Sequence, residues 1–200
     1  MLVVGFTGSH CTGKTTTATI CENMLKRKGY RVYLIKKVVR NLDRNELGTI
    51  KAQMKIHKMM CDELIKTYNS EWDIVITDRT PLDVAYYTLY YLIKHEWDET
   101  SLRLAQKLIQ SNISVTKSLY DLIILMDGID TIPIVDDGFR LTDNHSRLCI
   151  DIIARIILRT LPDDIPVYVI KPKSPEETAK EVVYVIEKML KKYECELSNE

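Results

Sequence analysis

Gly8-Ser9-His10-Cys11-Thr12-Gly13-Lys14-Thr15 is the stretch that decides how this chain is read. It meets the pattern G-x-x-x-x-G-K-[ST] of a phosphate-binding loop at every fixed position. At ordinary residue frequencies a chain of 200 residues would carry such a match by chance about once in a hundred. The flanks agree with it. Leu2-Val3-Val4-Gly5-Phe6 is an apolar run suited to a buried strand, and Thr15 to Lys28 reads as a helix. Gly8 and Gly13 can take backbone angles closed to residues with side chains. Successive N–H groups then turn inward toward phosphate oxygens, and the helix adds the positive end of its dipole. On this reading Gly8, Ser9, His10, Cys11, Thr12, Gly13, Lys14, Thr15 and Thr16 form the nucleotide contact. Lys14 bridges the β- and γ-phosphates, and the Thr15 hydroxyl ligates Mg²⁺. His10 and Cys11 sit at variable positions, where the backbone does the binding.

The 28 basic and 28 acidic side chains cancel. That argues against a broad electrostatic nucleic-acid surface, though not against a local one. Five cysteines, odd in number and without a C-x-x-C pair, fit reduced intracellular thiols better than a disulfide or zinc framework. No apolar run approaches membrane-spanning length, and the N-terminus enters the first strand directly. The expectation is a soluble cytoplasmic protein with no membrane partner. One domain is expected over residues 1–193, with a frayed tail over 194–200.

Strands are expected at Leu2–Thr7, Arg31–Lys36, Asp73–Thr77, Leu122–Met126 and Pro166–Ile170. Helices are expected at Thr15–Lys28, Asp43–Tyr68, Pro81–His95, Thr100–Lys117, Asn144–Arg159 and Pro175–Lys192. This alternation predicts a three-layer α/β fold, a parallel sheet covered by helices on both faces. Thr80-Pro81-Leu82-Asp83 and Ser174-Pro175-Glu176-Glu177 carry capping-box signals with proline at the first helical position.

Ile74-Val75-Ile76-Thr77-Asp78-Arg79 is a buried strand ending in an acid and a base. An acid placed beside a phosphate loop can bind Mg²⁺, directly or through water, or accept the proton of an attacking hydroxyl. Asp127, at the end of Leu122–Met126, competes with Asp78 for that role. Asp78 is preferred because Arg79 follows it, within reach of a phosphate.

The loop, the stretch Asp78-Arg79-Thr80-Pro81-Leu82-Asp83-Val84-Ala85-Tyr86 and the stretch Asp136-Asp137-Gly138-Phe139-Arg140 occur in that order. Together they resemble the small P-loop kinases of the ribosylnicotinamide-kinase-like group and, more distantly, the thymidylate and deoxynucleoside kinases. The resemblance implies a P-loop NTPase fold whose five strands run in the order 2-3-1-4-5. It further implies a lid over about residues 128–144 and transfer of the γ-phosphoryl group of ATP, with GTP left open. Arg140 would act from the lid as an arginine finger, with Arg147 as a second nucleotide contact. Lys171 and Pro172 would lie against the adenine. Deoxynucleoside kinases place a glutamate base just after the second strand, where this chain has Lys36-Lys37-Val38-Val39-Arg40. That departure moves the base role to Asp78 and hints at an anionic acceptor.

On the acceptor side the candidates are Arg40, for a substrate phosphate, Asp83, and Tyr86, for stacking on a base. Lys51, Lys55 and Lys58 share a helical face, either a solvated face or a phosphate track. A nucleoside or nucleotide is the expected acceptor. A polynucleotide 5′ end or modified base is the first alternative, and a regulatory ATPase with no small acceptor the second. A homodimer is compatible with all three.

Overall fold

The computed structural model describes residues 1–36, 47–132, 143–161, 163 and 165–197. The apolar runs become five parallel strands: β1 (Leu2–Thr7), β2 (Val32–Ile35), β3 (Ile74–Thr77), β4 (Leu122–Met126) and β5 (Val167–Ile170). Their order across the sheet is β2-β3-β1-β4-β5. Gly5 of β1 stands opposite Thr77 of β3 and Ile123 of β4, which sets the register. Strands β1, β3 and β4 are buried along their whole length, as an all-parallel sheet with two covered faces requires.

The helices are α1 (Lys14–Arg27), α2 (Ile50–Tyr68), α3 (Pro81–Lys94), α4 (Glu99–Leu119), α5 (Asn144–Leu158) and α6 (Pro175–Leu197). One face of the sheet packs Val4, Phe6 and Ile76 against Leu25 of α1 and Val182 and Ile186 of α6. The other packs Val3, Val75 and Ile123 against Tyr86 of α3 and Ile150 and Ile157 of α5. Each aliphatic side chain buried this fully contributes about 1.5–3 kcal/mol of transfer free energy. Cys21 lies within the first core, where burial pushes its thiol up to about 12.

Helix starts follow the capping chemistry. Ser174 and Glu177 form a reciprocal box, the Glu177 N–H donating to Ser174 Oγ and the Ser174 N–H to Glu177 Oε2, each at 3.3 Å. Two boundaries differ from the sequence reading by more than two residues. Leu47–Thr49 are not helical, and α2 is described from Ile50, where Thr49 Oγ1 accepts the Ala52 N–H at 3.2 Å. Helix α6 runs to Leu197, past Tyr193, where the sequence places the end of the domain.

Strand β1 is central and has β3 on one side and β4 on the other. The strand order switches sides there, with β3 and β2 to one side and β4 and β5 to the other, so the carboxyl ends of β1, β3 and β4 open on one crevice.

Candidate functional site

The loop between β1 and α1 carries three residues at positive φ: Gly8 (128°), Cys11 (54°) and Gly13 (83°). At Gly13 glycine is needed twice over, because a Cβ there would meet Ile132 Cδ1 at 2.7 Å. Lys14 is 6% exposed and folds back across the loop. Its Nζ donates to the Gly8 carbonyl at 2.8 Å and to the Ser9 carbonyl at 2.5 Å. Thr12 Oγ1 donates to the Ser9 carbonyl at 3.0 Å. Thr16 faces solvent.

β3 delivers Asp78 to this loop. Thr15 Oγ1 donates to the Asp78 carboxylate, 2.8 Å from Oδ2 and 3.0 Å from Oδ1. Burial pushes the Asp78 pKa above its ordinary value, against the pull of Arg79, the Thr15 hydrogen bond and Lys14. Asp127 has a different neighbourhood. It accepts from Arg155 Nη2 at 2.7 Å, and Arg155 Nε also donates to Asp151 at 2.7 Å. Of the two acids that follow a strand, Asp78 is the one in contact with Thr15.

Arg79 is walled by groups from two elements. Its Nη2 lies 3.4 Å from His10 Nδ1, on the loop. Its guanidinium lies 5.6 Å from the Tyr87 ring centroid and 3.7 Å from Asp83 Oδ1. Asp83 is 2% exposed. Its Oδ2 accepts from Thr7 Oγ1 at 3.0 Å, the Thr80 N–H at 2.8 Å and Thr80 Oγ1 at 3.0 Å. Asp83 Oδ1 is buried with no hydrogen-bond partner among the described residues, and Arg79 is the cation beside it.

Two acceptor-side expectations change. Tyr86 is 0% exposed and packs in the core over β1, which leaves no ring face open to a base. Its neighbour Tyr87 is the tyrosine that reaches Arg79 and His10, with ring centroids 5.0 Å apart from the latter. Asp83 joins β1 to the start of α3 through Thr7 and Thr80 rather than lining an open surface. The loop's variable residue His10, read from sequence as filler, stands at the centre of this group. Nothing in a single sequence marks it, because its partner Arg79 comes from another strand.

Arg147, expected at the nucleotide, is 1% exposed and faces the loop backbone instead. Its Nε donates to the His10 carbonyl at 3.3 Å. The connection after β4 closes on the same loop: a Cβ on Gly128 would lie 3.0 Å from the Thr12 carbonyl oxygen and 2.9 Å from Pro172 Cγ. Pro172 is therefore buried beside the loop, whereas Lys171 is exposed. Lys51, Lys55 and Lys58 are all exposed on α2, and Lys58 pairs with Asp62. Arg40, Arg140 and most of the expected lid lie outside the described residues.

Among the described residues no helix is long and apolar enough to cross a membrane, and no group of three or more His, Cys, Asp and Glu could hold a metal ion. Thr15 and Asp78 still bring together hard oxygen atoms of the kind Mg²⁺ takes alongside phosphate oxygens.

A family model described as an AAA domain matches residues 3–178. Solved structures of deoxyadenosine kinase from M. mycoides are similar in fold. The form with the products dCMP and a flexible dCDP gives a TM-score of 0.64 at 14% identity, covering 94% of this chain and 100% of that one. The dATP-bound form gives 0.64 at 14% identity, with 93% and 100% covered. The dCTP-bound form gives 0.61 at 14% identity, with 94% and 100% covered. No curated protein matches.

Proposed function

The chain belongs to the AAA domain family, and on that premise we propose that it is an ATP-dependent kinase that passes the γ-phosphoryl group to a nucleoside or nucleotide. The observation that carries this reading is the contact of Thr15 with Asp78 at the mouth of the phosphate loop. Thr15 and Asp78 would hold Mg²⁺, which when bound neutralises charge on the phosphate oxygens.

Lys14 is the mobile charge of the loop. Its Nζ now rests on two carbonyls and exchanges them for β- and γ-phosphate oxygens when a nucleotide arrives. The loop amides hold the rest of the phosphate chain. Asp78, reaching Mg²⁺ through water, orients the acceptor hydroxyl and takes its proton. Arg79, fixed by His10, Tyr87 and Asp83, places positive charge beside that acid. Arg140 would complete the charge shell from the lid. Such catalysis is mostly positioning and electrostatics. The likeness in fold to a deoxyadenosine kinase with dCMP as a product supports an acceptor of nucleoside size.

The test is label transfer from γ-labelled ATP, with GTP in parallel. The acceptor panel holds nucleosides, nucleoside monophosphates, ribosylnicotinamide and 5′-hydroxyl oligonucleotides. Label on a nucleoside or nucleotide is the expected result. In Lys14→Ala transfer should fall by at least about a hundredfold. Label on the oligonucleotide, or release only as free phosphate, would overturn the choice of acceptor.

A further inference from the structure

Arg147 is a charged side chain at 1% exposure, and each of its three guanidinium nitrogens donates inside the protein. Nε reaches the His10 carbonyl at 3.3 Å, Nη2 the Ile129 carbonyl at 3.0 Å and Nη1 Asn144 Oδ1 at 3.3 Å. The loop returns a bond: Ser9 Oγ donates to the carbonyl of Arg147 itself at 2.9 Å. Burial this deep is tolerated only when a charge is well hydrogen-bonded.

The geometry has a direct consequence for the loop. In a trans peptide the carbonyl and the following N–H point in opposite directions. A His10 carbonyl drawn outward to Arg147 therefore turns the Cys11 N–H the other way, toward the inside of the loop. Cys11 is also the non-glycine residue of the loop at positive φ, 54°. A conformation of that kind is disfavoured for a residue with a side chain and persists only where its surroundings hold it. We infer that Arg147 is a positioning residue: it sets the His10–Cys11 peptide so that the Cys11 N–H faces the phosphate chain, without touching the nucleotide. This rests on the nucleotide-binding reading given above. The bond to Ile129 adds that the connection after β4 is fixed by the same side chain.

The experiment combines nucleotide titrations with ¹⁵N spectra of the whole chain. In wild type, ADP should move the Cys11 amide resonance strongly and leave the Arg147 Nε–H resonance in place. Arg147→Met keeps the apolar stem and removes the donors. Its affinity for ADP should fall at least tenfold while that for AMP stays within threefold of wild type. Arg147→Lys, which can serve one carbonyl, should fall between. ADP binding as tight as wild type in either variant overturns the inference. So does an Arg147 Nε–H resonance displaced as far as that of Cys11, which would mean direct contact. Should Arg147→Met fail to fold, the wild-type spectra and Arg147→Lys decide. Wild-type protein that binds no ADP would sink the nucleotide reading and this assignment together. Tight wild-type binding with unaffected variants would sink the assignment alone.

Discussion

Replacing Asp83 separates architecture from chemistry at the base of the site. One oxygen of this buried carboxylate accepts three hydrogen bonds, from the Thr80 N–H and from the hydroxyls of Thr7 and Thr80. In Asp83→Ala the two hydroxyls can turn to other acceptors, and Thr7 Oγ1 already lies 3.5 Å from Tyr86 Oη. The Thr80 N–H has no such freedom, and a buried donor left unsatisfied costs about 1–3 kcal/mol. Losing an acid from the first turn of α3 adds about 0.3–1 kcal/mol. The sum is about 1.3–4 kcal/mol, a drop in Tm of about 3–16 °C for a protein of this size. Asp83→Asn keeps the shape and one acceptor oxygen and should cost only about 1 kcal/mol. Urea unfolding of the two variants against wild type reads these values. An Ala variant within about 0.5 kcal/mol of wild type, inside the range of an ordinary surface change, would refute the reasoning. If that variant had also lost turnover, Asp83 would be acting on substrate instead.

Asp78→Asn should abolish phosphoryl transfer while leaving ADP affinity nearly intact. It should also raise Tm at neutral pH: an acid whose folded pKa lies above its unfolded one costs stability above that pKa. The cost fades as the pH falls through the folded pKa toward the ordinary carboxylate range, so the gain in Tm should shrink on acidification. Asp127→Asn should keep turnover within a few-fold of wild type, because Asp127 pairs with Arg155; loss of transfer there, with Asp78→Asn active, would exchange the two roles. Gly128→Ala sets a methyl 3.0 Å from the Thr12 carbonyl oxygen and 2.9 Å from Pro172 Cγ. Overpacking of this kind costs about 1–3 kcal/mol, and ADP titration should show it as weaker binding.

Periodicity and capping made most of the fold legible. Leu2–Thr7 and Leu122–Met126 form strands with the bounds read from their apolar runs, and Pro81 and Pro175 open helices as their capping residues dictate. The contact of Thr15 with Asp78 follows from two motifs at the ends of neighbouring strands. The rest depends on which way a side chain turns. Arg147, Asp151, Arg155 and Arg159 recur every four residues as a charged stripe, yet steps of four residues drift about 40° each around a helix. The stripe therefore divides: Arg147 and Asp151 are buried, Arg155 is half-buried and Arg159 is exposed. Tyr86 and Tyr87 present the same difficulty. Both are buried, and only the docking of α3 decides which one turns to Arg79 and His10.

The strand order also constrains when the phosphate loop can exist during synthesis. Its parent strand β1 leaves the ribosome first, but it pairs with Ile74 on one side and with Leu122 on the other. Until β4 has emerged, β1 has at least one bare edge, and a bare apolar edge invites pairing with the wrong partner. Such long-range parallel pairings form slowly. A nucleotide therefore has no finished cradle to bind in a nascent chain that stops short of β4. Ligand can stabilise the product of folding but cannot guide its early steps, and truncations before Leu122 should require chaperones rather than ligand to stay in solution.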